Sequence, residues 1–377
     1  MIRPFTIHIE QEVLNDMLRR IRQTRWPDAI ENSGWSYGAD LTYMKELAGY
    51  WQTSFDWRKT EMQINSFENY IAEIDGYNVH FVHVKGKGKR SIPLIITHGW
   101  PSSFLEIMKL VPLLTENKEL SFDLVIPSIM GFGFSEKIIH PGCNTSFMAD
   151  IWFRLMTKLG YSTFGLQGGD FGAGVSSALA LKYPKHVLGL HLNYIPGNYQ
   201  PVLAKSEKFS EEEMLYFKSE ENWYAKEGGY SHQQKTKPLT LAYGLNDSPV
   251  ALCAWIIEKM HGWSDCKGQV ESIFTKDELL SNVTLYWVTE TIHSSVRLYN
   301  ENSKFPLKLE KNSMINVPVG IARFKYEEPF PPRKFIERGF NITHWSDFPA
   351  GGHFPAVEQP QLLSEDIYRF FRNIVDA

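Results

Sequence analysis

The sequence predicts an α/β protein built on a mostly parallel central sheet, and three observations carry that expectation. Short apolar runs at Leu94–Thr97, Asp123–Pro127, Phe164–Gln167 and Val187–Asn193 alternate with helix-length segments, the pattern of parallel strands joined by helical crossovers. A glycine-walled turn, Gly168-Gly169-Asp170-Phe171-Gly172-Ala173-Gly174, joins the third of these strands to a small-residue helix predicted over Val175–Tyr183. Strand-like runs then return at Met314–Phe324 and Asn341–Phe348, after a long helical block.

The elements divide the chain into four expected parts. Residues 1–91 form an N-terminal meander. Its opening helix gathers Val13, Leu14, Met17, Leu18 and Ile21 on one face, and it ends in a strand pair around Gly76. The alternation of His80 and His83 with Val79, Phe81, Val82 and Val84 predicts histidines on a strand surface. The basic run Lys85-Gly86-Lys87-Gly88-Lys89-Arg90 reads as a solvated hairpin tip rather than a phosphate site. Residues 92–196 are the first part of the core, beginning with the buried parallel strand Ile92–Thr97. Residues 197–304 are a helical lid. Ser210-Glu211-Glu212-Glu213 is a capping box, and Met214, Phe217, Glu221 and Tyr224 follow at helical spacing. Val250–Met260 and Leu279–Thr289 continue the helical block. Residues 305–377 resume the core with the Met314 strand and a final helix from Pro360, carrying Leu362, Leu363, Ile367, Phe370, Phe371 and Ile374 inward.

Chemistry concentrates at the strand ends. Strand, sharp glycine-rich turn and helix are the frame of a nucleophile elbow, but Asp170 stands where G-x-S-x-G would put serine. A serine alkylated at carbon becomes an ether, which water does not readily cleave. A carboxylate alkylated at carbon becomes an ester, which water does cleave. Asp170 therefore suits an electrophilic sp3 carbon, as in an epoxide or an alkyl halide. His98-Gly99-Trp100-Pro101 follows a strand at its carboxyl end, where such sheets hold ligands. The N–H groups of Trp100 and Phe171 are the expected oxyanion hole. His353, in Gly351-Gly352-His353-Phe354-Pro355, is the expected general base. The acid that orients it should lie just past the Met314 strand, where Glu327 and Glu328 are adjacent and spacing does not separate them. The other histidines are expected to be structural, His98 shaping its turn and His186, His191, His261 and His293 bonded within apolar segments.

Taken together these motifs resemble the microsomal-type epoxide hydrolases of the α/β-hydrolase fold, the group with an N-terminal meander. Trp26-Pro27, Gly34-Trp35-Ser36-Tyr37-Gly38, Phe55-Asp56-Trp57-Arg58 and Ile74-Asp75-Gly76-Tyr77 look like that group's N-terminal region. His98-Gly99-Trp100-Pro101, Gly168-Gly169-Asp170 and Gly351-Gly352-His353 look like its core, and Leu245-Asn246-Asp247-Ser248-Pro249 and Leu285-Tyr286-Trp287 like its lid. The resemblance implies two lid tyrosines that hold the epoxide oxygen, Tyr230 ahead of Thr236-Lys237-Pro238 and Tyr299 in Arg297-Leu298-Tyr299-Asn300. It places the acid on Glu327, although Lys325 and Glu328 depart from the group's usual pattern there. It implies hydrolysis of an epoxide to a vicinal diol through an aspartyl ester, with no cofactor and no metal.

Composition agrees with a globular enzyme. The 377 residues are 43% hydrophobic and 22% charged, enough apolar material for a large core. A formal net charge of −4 gives no reason to expect nucleic acid. No H-E-x-x-H or H-x-x-x-H pair suggests zinc. Three cysteines without paired spacing, and no apolar run of membrane-spanning length, predict a cytoplasmic protein that does not insert in membranes. The expected partners are a small-molecule epoxide and water; the oligomeric state stays open, a homodimer included. Rival readings are a haloalkane dehalogenase with the same Asp-His-acid set, an ester hydrolase, and a non-catalytic binding protein. Phe171 lacks the indole N–H a halide would want beside the nucleophile, and no G-x-S-x-G occurs.

Overall fold

The computed structural model describes residues 1–376 except 198, 202, 204–206 and 305–313. The expected boundary between lid and returning core, at 304/305, falls on the edge of the last of these segments, outside the described residues.

Nine strands, counted among the described residues, form one sheet: β1 (Ile2–Pro4), β2 (Asn69–Ile74), β3 (Tyr77–Val84), β4 (Arg90–Thr97), β5 (Leu120–Pro127), β6 (Phe164–Gly168), β7 (Val187–Leu192), β8 (Ile315–Phe324) and β9 (Phe340–Phe348). Their order is β1-β2-β3-β5-β4-β6-β7-β8-β9. From β5 to β9 every neighbouring pair is parallel, and β1, β2 and β3 extend that sheet with antiparallel pairs. The parallel strands are continuous Val, Ile and Leu runs because helices cover them. Helix Asp170–Lys182 packs on β4, β6, β7 and β8, and helix Pro360–Val375 on β7, β8 and β9. The final helix buries Leu363, Ile367, Phe370 and Phe371, as its spacing predicts, and leaves Leu362 and Ile374 at the margin.

The β2–β3 hairpin forms on Asp75-Gly76. Both residues have positive φ (52° and 87°), the backbone a two-residue hairpin of matching twist requires. The next turn is different. β3 pairs with β5 rather than β4, so the basic run is a crossover between strands and not a hairpin tip. Its cations are matched one by one: Lys85 with Asp123, Lys87 with Glu116, Lys89 with Glu119 and Arg90 with Asp376. This interior position of β3 also corrects the surface assignment of His80. It is fully buried, donates from Nε2 to Asn69 Oδ1 (3.1 Å) and accepts from Ser128 Oγ at Nδ1 (2.8 Å). Burial pushes its pKa down to about 3, so it is a neutral structural residue.

The helical block holds helices Glu211–Glu227, Gly229–Thr236, Pro238–Leu245, Pro249–Trp263, Lys276–Thr289 and Ile292–Lys304. The Ser210–Glu213 capping box is present. The apolar positions that follow it are not buried: Met214 and Tyr224 are exposed, and the only buried residue of that helix is Glu213, bonded to Arg338. The N-terminal helices Gln11–Arg22, Leu41–Thr53 and Trp57–Asn65 pack against Pro249–Trp263 and Lys276–Thr289. Val13 faces solvent, while Leu14, Met17 and Ile21 fill that contact. Trp51 donates to Thr284 (3.1 Å) and Thr60 shares a hydrogen bond with Ser281 (2.7 Å). The N-terminal helices thus pack on the helical block through polar as well as apolar contacts.

Candidate active site

β6 is buried along its whole length and delivers the chain to Gly169 at the carboxyl edge of the sheet. Asp170 then adopts φ 45°, a left-handed conformation that costs a non-glycine residue about 1–3 kcal/mol. It begins the helix, so the helix starts five residues earlier than the predicted Val175. The turn is tight enough to dictate its glycines. A Cβ on Gly172 would stand 1.9 Å from the carbonyl oxygen of Thr97, and one on Gly99 would stand 2.3 Å from Cβ of Asp170. The result is a carboxylate held at a helix N-terminus, where unpaired N–H groups and the dipole favour negative charge.

The loop after β4 reaches over to it. The N–H of Trp100 donates to Asp170 Oδ1 at 2.9 Å. His98 is buried and braces this loop, donating from Nδ1 to Gly99 O (3.0 Å) and accepting at Nε2 from the N–H of Ile129 (3.1 Å). Burial pushes its pKa down to about 4, which keeps the accepting nitrogen free of a proton. Phe171 follows Asp170 in the first helical turn, its ring edge-on to Tyr299 at 4.7 Å.

From the other side comes the loop after β9. His353 Nε2 lies 3.5 Å from Asp170 Oδ2, and its Nδ1 donates to Glu327 Oε2 at 2.8 Å. Glu327, just past β8, is buried. Glu328 turns outward to Arg323 with 55% of its side chain exposed, so the fold puts the first of the two adjacent acids on the histidine. The loop is fixed by groups that carry no motif. Glu358 accepts from the N–H groups of Gly352 (2.9 Å), Phe354 (2.8 Å) and Asp265 (2.7 Å), and His353 N–H donates to Trp263 O (2.9 Å). Burial alone would lower the His353 pKa. The charge of Glu327 and the hydrogen bonds to Asp170 and Glu327 outweigh it and raise the pKa well above the ordinary histidine value.

Tyr230 and Tyr299 close the site from the lid. The Tyr230 ring stacks on Trp100 at 5.5 Å and meets Tyr299 edge-on at 5.8 Å, and the two phenols share a hydrogen bond. Burial first, with nearby negative charge including Asp170, raises both phenols well above their usual pKa. Both stay protonated at any working pH. A cavity of about 390 Å³ runs between Asp170, Phe171 and the two tyrosines out to Lys235 and Asn302. A second of about 90 Å³ lies between Asp170, His353, Trp223 and Phe330. Six of the seven predicted site residues therefore meet through their side chains or a measured backbone contact, and Phe171 joins through its ring.

Comparison with known proteins agrees with this geometry. The family described as "Epoxide hydrolase N terminus" matches residues 2–107, and "alpha/beta hydrolase fold" matches residues 92–226. Epoxide hydrolase 1 of Sus scrofa is 38% identical over 400 residues, covering 98% of this chain and 88% of its own length. The chain belongs to the epoxide hydrolase family. Within that family the fold is shared along the whole chain. The crystal structure of juvenile hormone epoxide hydrolase from the silkworm Bombyx mori superposes with a TM-score of 0.87 at 29% identity, covering 100% of this chain and 94% of that one. The Aspergillus niger epoxide hydrolase superposes with a TM-score of 0.87 at 28% identity, covering 99% and 97%. The expected α/β-hydrolase fold is thus borne out. Among the described residues no helix is long and apolar enough to cross a membrane.

Proposed function

We propose that this member of the epoxide hydrolase family converts an epoxide and water into a vicinal diol through an aspartyl ester. The observation that carries the reading is the elbow itself: a carboxylate with one oxygen on a backbone N–H, the other facing His353, and two phenols above it. Asp170 attacks an epoxide carbon from the side opposite the breaking C–O bond. Tyr230 and Tyr299 donate to the epoxide oxygen, and one supplies the proton as the alkoxide forms. A phenol is far more acidic than that alkoxide, so the transfer is downhill. Water then gives a proton to His353 and adds to the ester carbonyl, with the N–H groups of Trp100 and Phe171 on the oxyanion. Collapse expels the diol oxygen, which takes its proton from His353; the carboxylic acid that results gives its proton to the imidazole, and Asp170 is restored as a carboxylate.

The electrostatics time the two steps. In the free protein His353 sits between two carboxylates, which hold a proton on it. Esterification removes the charge of Asp170 and with it part of what raised the imidazole. The imidazolium then gives its proton to the tyrosinate left by ring opening, which restores the phenol and leaves the ring a base when a base is needed. Glu327 remains, fixes the tautomer with its proton on Nδ1, and stabilises the imidazolium that forms. Three cysteines without disulfides, two of them buried, support a cytoplasmic setting.

The test is a single turnover with excess protein in ¹⁸O water. Heavy oxygen should enter Asp170, and the diol should carry an oxygen from the old carboxylate. Label found directly in the first-turnover diol means one-step attack by water and sinks the ester.

The two adjacent acids give a further expectation. Glu327→Gln should slow ester hydrolysis about 10³–10⁴-fold, as loss of the orienting charge does in related triads. Glu328→Gln removes only an exposed ion pair and should change the rate no more than about threefold. Rapid-quench kinetics of each variant decides, and the reverse ranking moves the role to Glu328.

A further inference from the structure

The cavities described above lie on the lid side of Asp170, and a different one lies behind it. A pocket of about 20 Å³ is walled by Asp170 and His353 together with Ser102, Glu106, Gln167 and Asn193. A buried water needs roughly 10–15 Å³ and two to four polar partners, so this pocket of about 20 Å³ has room for one water. Gln167 donates to Asn193 (2.9 Å), which fixes that wall. Ser102, Glu106 and Phe354 also line an outer vestibule of about 350 Å³, whose walls include Asp56, Lys59, Ser281 and Asn282. No residue lining the vestibule lines either lid-side cavity. Asn282 spends its amide on the carbonyl of Pro101 (2.7 Å), leaving Oδ1 without a protein partner. Ser102, Glu106 and Phe354 form the wall common to vestibule and rear pocket, and the Ser102 hydroxyl there donates to the carbonyl of Ser103 (3.4 Å).

We propose that the hydrolytic water reaches the ester from this vestibule through the rear pocket, and that Glu106 is the residue that positions it. This rests on the aspartyl-ester reading above. While the ester exists its alkyl group occupies the lid side of Asp170, where the cavities of about 390 and 90 Å³ both lie and both reach Tyr230, so the rear pocket gives water a separate approach. The rear pocket is lined by both residues the step requires, Asp170 and His353. One hydrogen of the water goes to Nε2 of His353 as its oxygen bonds to the Asp170 carbonyl carbon; Glu106 accepts the other and keeps the lone pair aimed. Loss of surrounding water pushes the Glu106 carboxyl up to about 7 despite the opposing Ser102 hydrogen bond, so near neutrality it serves as acceptor or donor as the water turns.

Rapid-quench mass spectrometry separates the two chemical steps. Glu106→Ala should alkylate at the wild-type rate and hydrolyse the ester about 10–100-fold more slowly, the equivalent of one lost hydrogen bond to a charged or polarised group. Glu106→Gln keeps volume and hydrogen bonding and should restore hydrolysis to within about threefold of wild type. Ser102→Val, which puts a methyl in place of the hydroxyl on the wall common to vestibule and rear pocket, should also slow hydrolysis alone, and it serves as the second measurement should Glu106→Ala not fold. Hydrolysis at the wild-type rate in folded Glu106→Ala or Ser102→Val overturns the proposal. So does equal slowing of both steps without rescue by Gln, the signature of a merely structural residue. The absence of any ester in His353→Gln overturns the underlying reading instead, and the two failures are therefore distinct.

Discussion

His353→Gln should stop turnover after one chemical step and leave the protein carrying its substrate as a covalent adduct. Nothing that prepares Asp170 for attack depends on the imidazole alone. The carboxylate keeps the helix N-terminus, and Oδ1 keeps the Trp100 N–H at 2.9 Å. Tyr230 and Tyr299 keep their packing on Trp100 and Phe171. Ester formation should persist. Hydrolysis should not, because a glutamine does not take the proton from water, and loss of a general base costs about 10²–10⁴-fold or more. Intact-mass measurement after addition of a styrene or cyclic epoxide should show protein plus one substrate, with peptide mapping locating the adduct on Asp170. Unmodified protein together with unimpaired turnover means that another group is the base.

How much of this site could be read from the sequence depended on how local each constraint is. Asp170 was legible because the turn leaves room only for glycine on either side, and that steric demand is written in Gly168, Gly169 and Gly172. His353 was legible from its place after a late strand. Glu327 and Glu328 were not separable by spacing. Which carboxylate faces the histidine is decided by the turn beyond β8, and the second acid is drawn to Arg323. The error on His80 has a similar cause: alternation predicts which residues share a face, but only the pairing of β3 with β5 says that the face is covered. The helix Glu211–Glu227 departs in the opposite direction: Met214 and Tyr224 face solvent, and only Phe217 of that spacing packs inward, half-buried against Phe209 and Phe335. Glu358 and Glu106 carry no motif. Glu358 ties its own loop to Asp265, 93 positions away, and Glu106 matters through the cavity it lines; neither leaves a periodic trace.

Replacing both lid tyrosines by phenylalanine should abolish ring opening while leaving the fold intact. Ring opening leaves an alkoxide that needs a donor, and of the four tyrosines that line the cavity with Asp170 (Tyr194, Tyr224, Tyr230 and Tyr299) the pair Tyr230 and Tyr299 meet edge-on beside Trp100. Phenylalanine preserves the stacked contact with Trp100, the edge contact with Phe171 and the edge contact between the two rings. It removes only the hydroxyls, and removing both together leaves neither partner of their mutual hydrogen bond stranded. Each single Tyr→Phe change should slow alkylation about 10²–10³-fold, the usual cost of one preorganised oxyanion donor. The double variant should lose essentially all alkylation, so that no adduct appears even in the His353→Gln background. A halide leaving group needs no proton, and an alkyl halide offered to the same double variant should be affected far less if the site can react with one at all. Burial holds both phenols protonated, so the loss should be independent of pH across the neutral range. A folded double variant that still opens epoxides near the wild-type rate removes the tyrosines from the mechanism, and with them the feature that fits this pocket to an epoxide oxygen.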